Sequence, residues 1–64
     1  MALIVNGSTL PIAQLGPDFL LLRQRLSHPP TEATIVMQID GNERQWTVKL
    51  PDGLAEGVER VRIE

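Results

Sequence analysis

Between Thr34 and Leu50 the chain reads TIVMQIDGNERQWTVKL, with apolar side chains at every second position on both sides of Asp40-Gly41. Ile35, Met37 and Ile39 form one apolar set, and Trp46, Val48 and Leu50 form the other. A period of two flanking an Asp-Gly pair is the pattern of a β-hairpin, because a tight type I′ turn needs positive φ at both central residues and Asp-Gly adopts it at low cost. Turning at Asp40-Gly41 sets Ile35 opposite Trp46 and Thr34 opposite Thr47. A four-residue loop over Asp40 to Glu43 would set Met37 opposite Trp46, but it also brings the carboxylates of Asp40 and Glu43 together, so the first register is preferred. The other face carries Val36, Gln38, Gln45, Thr47 and Lys49 and is mostly polar. One side of the ribbon therefore predicts a core, and the other predicts water or a partner.

A chain of 64 residues predicts a single domain spanning 1–64. Domains this small bury only about 60% of the surface their unfolded chains expose, and one core of this size rarely supplies more than ~3–5 kcal/mol. Many add a disulfide or a structural metal. This chain has no cysteine and one histidine, so neither a disulfide nor an all-protein zinc site is available. Association with itself or with another protein chain is the remaining common support, which predicts a partner.

The net charge of −2 and the sequence pI of about 5.2 argue against a duplex nucleic-acid partner and a polybasic membrane anchor. No apolar run, Phe19 to Leu22 included, is long enough to span a bilayer. The opening Met-Ala-Leu-Ile-Val-Asn lacks the basic region and cleavage pattern of a secretory signal. Together with the absence of cysteine, this predicts a cytoplasmic protein with no membrane association.

Ala2 to Ile12 reads as a second hairpin, turned at Asn6-Gly7, with Leu3 facing Leu10 and Val5 facing Ser8. Ile12 falls on the face of Leu3, and Pro11, which has no N–H, predicts an edge strand or a strand end. Pro17-Asp18 then opens PDFLLLRQRLS, where Pro at a first helical position, Asp in the first turn and good helix formers predict a helix over residues 17–27. Phe19, Leu22 and Leu26 would share its buried face, Arg25 and His28 would sit near its carboxyl end, and Pro29-Pro30 would stop it. The competing reading is a buried strand through Phe19 to Arg23, since a short apolar run fits both periods. Pro51-Asp52-Gly53 ends the central hairpin, and Leu54 in the following loop is placed to cap the core. Glu59 to Ile63 alternates once more, predicting a last strand with Val61 and Ile63 inward and Arg60 and Arg62 outward.

The expected class is α+β: a small mixed sheet of two hairpins plus a C-terminal strand, with one helix on its apolar face, in the order ββαβββ. If Phe19 to Arg23 is a strand, the alternative is an all-β small barrel or sandwich. The ββαβββ order resembles that of the β-grasp fold, and the resemblance implies a last strand running beside the first. Sulfur carriers and protein modifiers of that fold end in a Gly-Gly tail whose carboxylate is activated. Here the chain ends Val61-Arg62-Ile63-Glu64, so the resemblance does not extend to that chemistry.

No constellation of nucleophile, base and orienting group can be drawn. The only serines that could serve a His28 base are Ser8 in a turn and Ser27 next door, and His28 reads as a favourable charge at a helix terminus. Asp18, Asp40 and Asp52 occupy caps or turns, where Asp bonds the backbone, and the glutamates are scattered. Asp40-Gly41-Asn42 begins like a calcium loop but lacks the remaining ligand spacing, and there is no Gly-rich phosphate loop. The reading is therefore no catalytic residues, no cofactor and no metal.

The expected activity is that of a non-enzymatic protein–protein interaction module, a small subunit or an assembly or adaptor factor. Trp46 is expected in the core, under the helix, and the alternative is a binding anchor on an exposed patch. Gln45, Thr47, Lys49, Arg60 and Arg62 are the expected partner-binding residues, sharing one outer face if the last strand lies beside the Trp46 strand. A small nucleic-acid-binding domain using the same basic face is the alternative, disfavoured by the absence of an exposed aromatic for base stacking.

Overall fold

The computed structural model describes residues 1–23 and 26–64. Among them lie six β-strands and no helix: β1 (Ala2–Val5), β2 (Ser8–Leu15), β3 (Phe19–Leu22), β4 (Thr31–Ile39), β5 (Asn42–Leu50) and β6 (Arg60–Arg62). They form one sheet in the order β5-β4-β1-β2-β3-β6, and every neighbouring pair is antiparallel. The class is all-β, which corrects the α+β expectation with its mixed sheet and helix.

Both Gly-turned hairpins form in the registers their alternation predicts. Leu3 pairs with Leu10 and Val5 with Ser8, while Ile35 pairs with Trp46 and Thr34 with Thr47. Positive φ falls on Asn6, Gly7, Asp40 and Gly41, as a type I′ turn requires. The helix expected over 17–27 is replaced by a turn and a strand. The Gly16 N–H donates to the Phe19 carbonyl at 2.8 Å, closing a hairpin turn through Pro17 and Asp18. Proline fixes the φ of a first turn position as readily as that of a first helical one, so Pro17-Asp18 suits both structures. The Phe19 ring occupies the space where a Cβ on Gly16 would project, so a side chain there would require the ring to move aside. Within β3 burial alternates: Leu20 and Leu22 lie inside, Phe19 and Leu21 half-covered outside. Leu26, expected beside them, is 37% exposed, and the expected position of Arg25 lies outside the described residues.

Pro11 is not at an edge. β2 lies between β1 and β3 and continues to Leu15. The Ile12 N–H donates to the Met1 carbonyl on the β1 side, so the neighbouring Pro11 nitrogen faces the β3 side. The β3 ladder begins only at Ile12↔Leu22, so no donor is required of Pro11. A register shift between Ile12 and Gln14 marks a β-bulge where this ladder starts.

β6 pairs with β3 rather than with β1, so the strand order implied by the β-grasp resemblance does not hold. The sheet curls until its two margins meet. Lys49 at the end of β5 and Glu64 just past β6 exchange main-chain hydrogen bonds of 2.8 and 2.9 Å. The concave side encloses the core of Leu3, Val5, Leu10, Ile12, Leu20, Leu22, Ala33, Ile35, Val48, Leu50, Leu54, Val61 and Ile63, with no buried polar side chain among the described residues.

One end of the half-barrel is stoppered by the 51–58 loop. The Gly53 N–H bonds the Leu50 carbonyl at 3.1 Å, and Leu54 exchanges main-chain hydrogen bonds with His28 at 2.8 and 2.9 Å, which sets the Leu54 side chain into the core. The other end is open. β1 pairs with β4 only over Thr34 to Val36, so the rest of the β4–β5 hairpin, from Met37 through the turn to Arg44, projects as a two-stranded ribbon. Nine-residue strands at ~3.4 Å per residue reach about 30 Å, close to the longest molecular dimension of 32 Å.

Candidate functional site

The projecting ribbon keeps the inward phase of the core strands but runs beyond the core's cover. On its concave-phase face the cross-strand pairs are Ile35↔Trp46, Met37↔Arg44 and Ile39↔Asn42. Ile35 is fully buried, Met37 is half-buried, and Ile39 is 48% exposed. Trp46 is 39% exposed, so its expected place under a roofing helix is corrected: the phase is inward, but among the described residues no helix lies over it. Met1, one residue before the Ala2↔Val36 pair, is also exposed and lies beside Ala2, Val36 and Gln38 of the convex phase. Trp46, Ile39 and Met37 thus share the inward phase at the open end, where thioether and aromatic groups suit an adaptable contact surface.

The free margin of β5 adds a second feature. Lys49 bonds Glu64 through its main chain on the margin side. Successive strand residues direct their N–H and C=O to opposite edges, so Glu43, Gln45 and Thr47 also direct theirs to that margin. From Asn42 to Val48 no strand lies alongside it among the described residues. Such an edge is a template for another strand.

The five expected contact residues fall in two places. Gln45, Thr47 and Lys49 are exposed on the convex face of β5, and Arg60 and Arg62 on that of β6. The two strands meet only at the Lys49–Glu64 rung, so these side chains do not form one continuous basic stripe. The arginines also have partners within the chain. The Arg62 Nε lies 3.2 Å from the Asp52 carboxylate, and the Arg60 guanidinium stands 4.5 Å over the Phe19 ring. Arg60, Arg62 and Asp52, together with Asp18, Gly53, Ala55, Val58 and Val61, line a shallow groove of about 370 Å³ in which both signs of charge face each other. Both members of the Arg62–Asp52 pair are largely solvent-exposed, so Arg62→Ala should change stability by less than about 1 kcal/mol in urea unfolding. A larger loss would show that the pair holds the 51–58 loop in place.

His28 is fixed by its main-chain exchange with Leu54, and its Nδ1–H donates to the Pro29 carbonyl at 2.7 Å. Among the described residues no three His, Cys, Asp or Glu side chains gather where they could hold a metal ion. Among the described residues no helix is long and apolar enough to cross a membrane. In comparisons with known proteins, no family model, curated protein or solved structure matches the chain.

Of the residues on the ribbon, reading from sequence misplaced Trp46, Met37 and Ile39. The available signal was length. The strand before Asn6-Gly7 holds four residues, whereas the strands flanking Asp40-Gly41 hold nine each, so the shorter hairpin cannot cover the longer one.

Proposed function

We propose that this chain is a non-enzymatic protein–protein interaction module, a small subunit or adaptor that engages its partner through the projecting β4–β5 ribbon. The observation that carries this reading is the exposure of Trp46 on a ribbon whose outer margin, among the described residues, has no strand alongside it from Asn42 to Val48. Tryptophan anchors dominate binding energy at interfaces, and unpaired edges supply main-chain hydrogen bonds to an added strand. A partner also supplies the burial that so small a core lacks. A cytoplasmic setting belongs to the same reading, since a chain without cysteine has no thiol to protect or to cross-link. Nucleic-acid recognition by the basic face is weakened because Arg62 is paired with Asp52, Arg60 with Phe19, and Lys49 lies beside Glu64.

Trp46→Ala tests the reading. The ring is not enclosed, so the variant should keep its circular dichroism spectrum and its melting temperature within a few degrees. It should lose about thirtyfold or more in affinity for proteins that bind the wild type, the loss expected of an interface anchor. Trp46 is the sole tryptophan, so its emission should also shift to the blue on binding. Undiminished binding by a folded Trp46→Ala variant would refute the Trp46 face of the ribbon as the contact surface.

A further inference from the structure

The free margin of β5 has a sequence and a length that suit one occupant in particular. We infer that the partner is a second copy of this chain, joined by antiparallel pairing of β5 with β5 about a two-fold axis at Gln45. This rests on the reading of the ribbon as a contact surface and specifies what contacts it.

The open edge is short. Glu64 occupies the margin at Lys49, and the turn at Asp40-Gly41 ends the strand, which leaves Asn42 to Val48 free. The centre of that stretch is Gln45. Only Glu43, Gln45 and Thr47 direct main-chain groups outward, so an antiparallel ladder must pair these among themselves. Centring on Gln45 pairs Gln45 with Gln45 of the second copy and Glu43 with its Thr47, using every outward group. Moving the axis toward the turn sets Arg44 against Arg44, two like charges face to face. Moving it the other way calls on the margin of Lys49, already bonded to Glu64.

The side chains favour the same register. With the axis at Gln45, Trp46 of each copy falls opposite Arg44 of the other on the concave-phase face. A guanidinium over an indole is attracted by the ring's negative face. The same arrangement exists inside each chain, where Arg60 stands 4.5 Å over the Phe19 ring. Met37 flanks Arg44 across β4, so the second copy would bring Arg44 and Met37 over each exposed Trp46. The interface is isologous, so every contact is made twice and the assembly closes at two copies.

Cysteine cross-linking reads the register directly, because the chain has no cysteine of its own. Opposite residues of a hydrogen-bonded antiparallel pair have Cα atoms about 5.5 Å apart, within the range a disulfide spans. Gln45→Cys should therefore oxidise to a covalent dimer. Thr47→Cys should not, since its copies would be displaced by four residues, roughly 13 Å along the strands. Gln45→Lys sets two ammonium groups against each other and should weaken wild-type dimerisation, followed by light scattering across a dilution series, by about tenfold or more. Circular dichroism of each variant confirms that the exposed substitution leaves the fold intact. A wild-type protein that stays monomeric at about 1 mM, where a complex of millimolar Kd would already be populated, overturns the inference. So does equal cross-linking of Thr47→Cys and Gln45→Cys. A monomer that binds another protein through Trp46 removes self-pairing and leaves the module reading standing. A dimer with the Gln45 register that survives Trp46→Ala at full strength retains self-pairing by the edge while refuting Trp46 as its anchor.

Discussion

Gly53→Ala should unfold a large part of the population, with a loss of about 3 kcal/mol or more against a total that rarely exceeds ~3–5 kcal/mol in domains of this size. Gly53 holds a φ of +64°, a region that side chains with a Cβ enter at a cost. A Cβ built there would also run into the His28 carbonyl oxygen and would lie 2.7 Å from the Pro29 carbonyl carbon and 2.9 Å from the Pro30 nitrogen. All three atoms are main chain, so no side-chain rotation can make room. The 51–58 loop would have to lift away from residues 28–30, breaking the His28–Leu54 exchange and withdrawing Leu54 from the core. Truncating or displacing a buried leucine costs ~2–5 kcal/mol on its own. Urea unfolding followed by circular dichroism measures the loss. Stability within about 1 kcal/mol of wild type would mean that the loop does not stopper the barrel.

The second large effect separates a strand from a helix in the segment where the two readings diverge. Leu20 is fully enclosed and Leu21 is half-exposed on the convex face, so Leu20→Ala should cost ~2–5 kcal/mol and Leu21→Ala much less. Leu26→Ala should fall within about 0.5 kcal/mol of wild type, because that side chain lies on the surface. A helix with Phe19, Leu22 and Leu26 on its buried face requires another order, with Leu26→Ala severe and Leu20→Ala mild. Denaturant midpoints of the three variants at constant slope decide between them. Equal effects at Leu20 and Leu21 would also exclude the alternating burial of β3.

Much of the ribbon architecture was legible from residue order. Asn6-Gly7 and Asp40-Gly41 specified two turns, and alternation specified both registers and the inward phase of Val61 and Ile63. The segment from Pro17 was not legible, because four consecutive apolar residues carry no period and Pro-Asp serves a helix start and a hairpin turn alike. With the helix came the wrong class, and the all-antiparallel order with β6 against β3 was missed too. At the candidate site, alternation assigned Trp46 to the correct face but could not show where the cover over that face stops. The depth of a core depends on the shortest strands crossing it, and β1, β3 and β6 are much shorter than the ribbon. Gln45, Thr47 and Lys49 were assigned correctly to the convex side of β5, while their grouping with Arg60 and Arg62 assumed a strand adjacency reduced here to one rung.

The stopper and the open mouth give the molecule a polarity with a practical use. The 51–58 loop leaves β5 at Leu50, eight residues or roughly 27 Å along the strand from Asn42. Glu56 on that loop is exposed, and the chain offers no competing thiol. A single cysteine installed there is a handle from which a dye or tether can be hung at the blunt pole, leaving the Trp46 pole unencumbered for measurement.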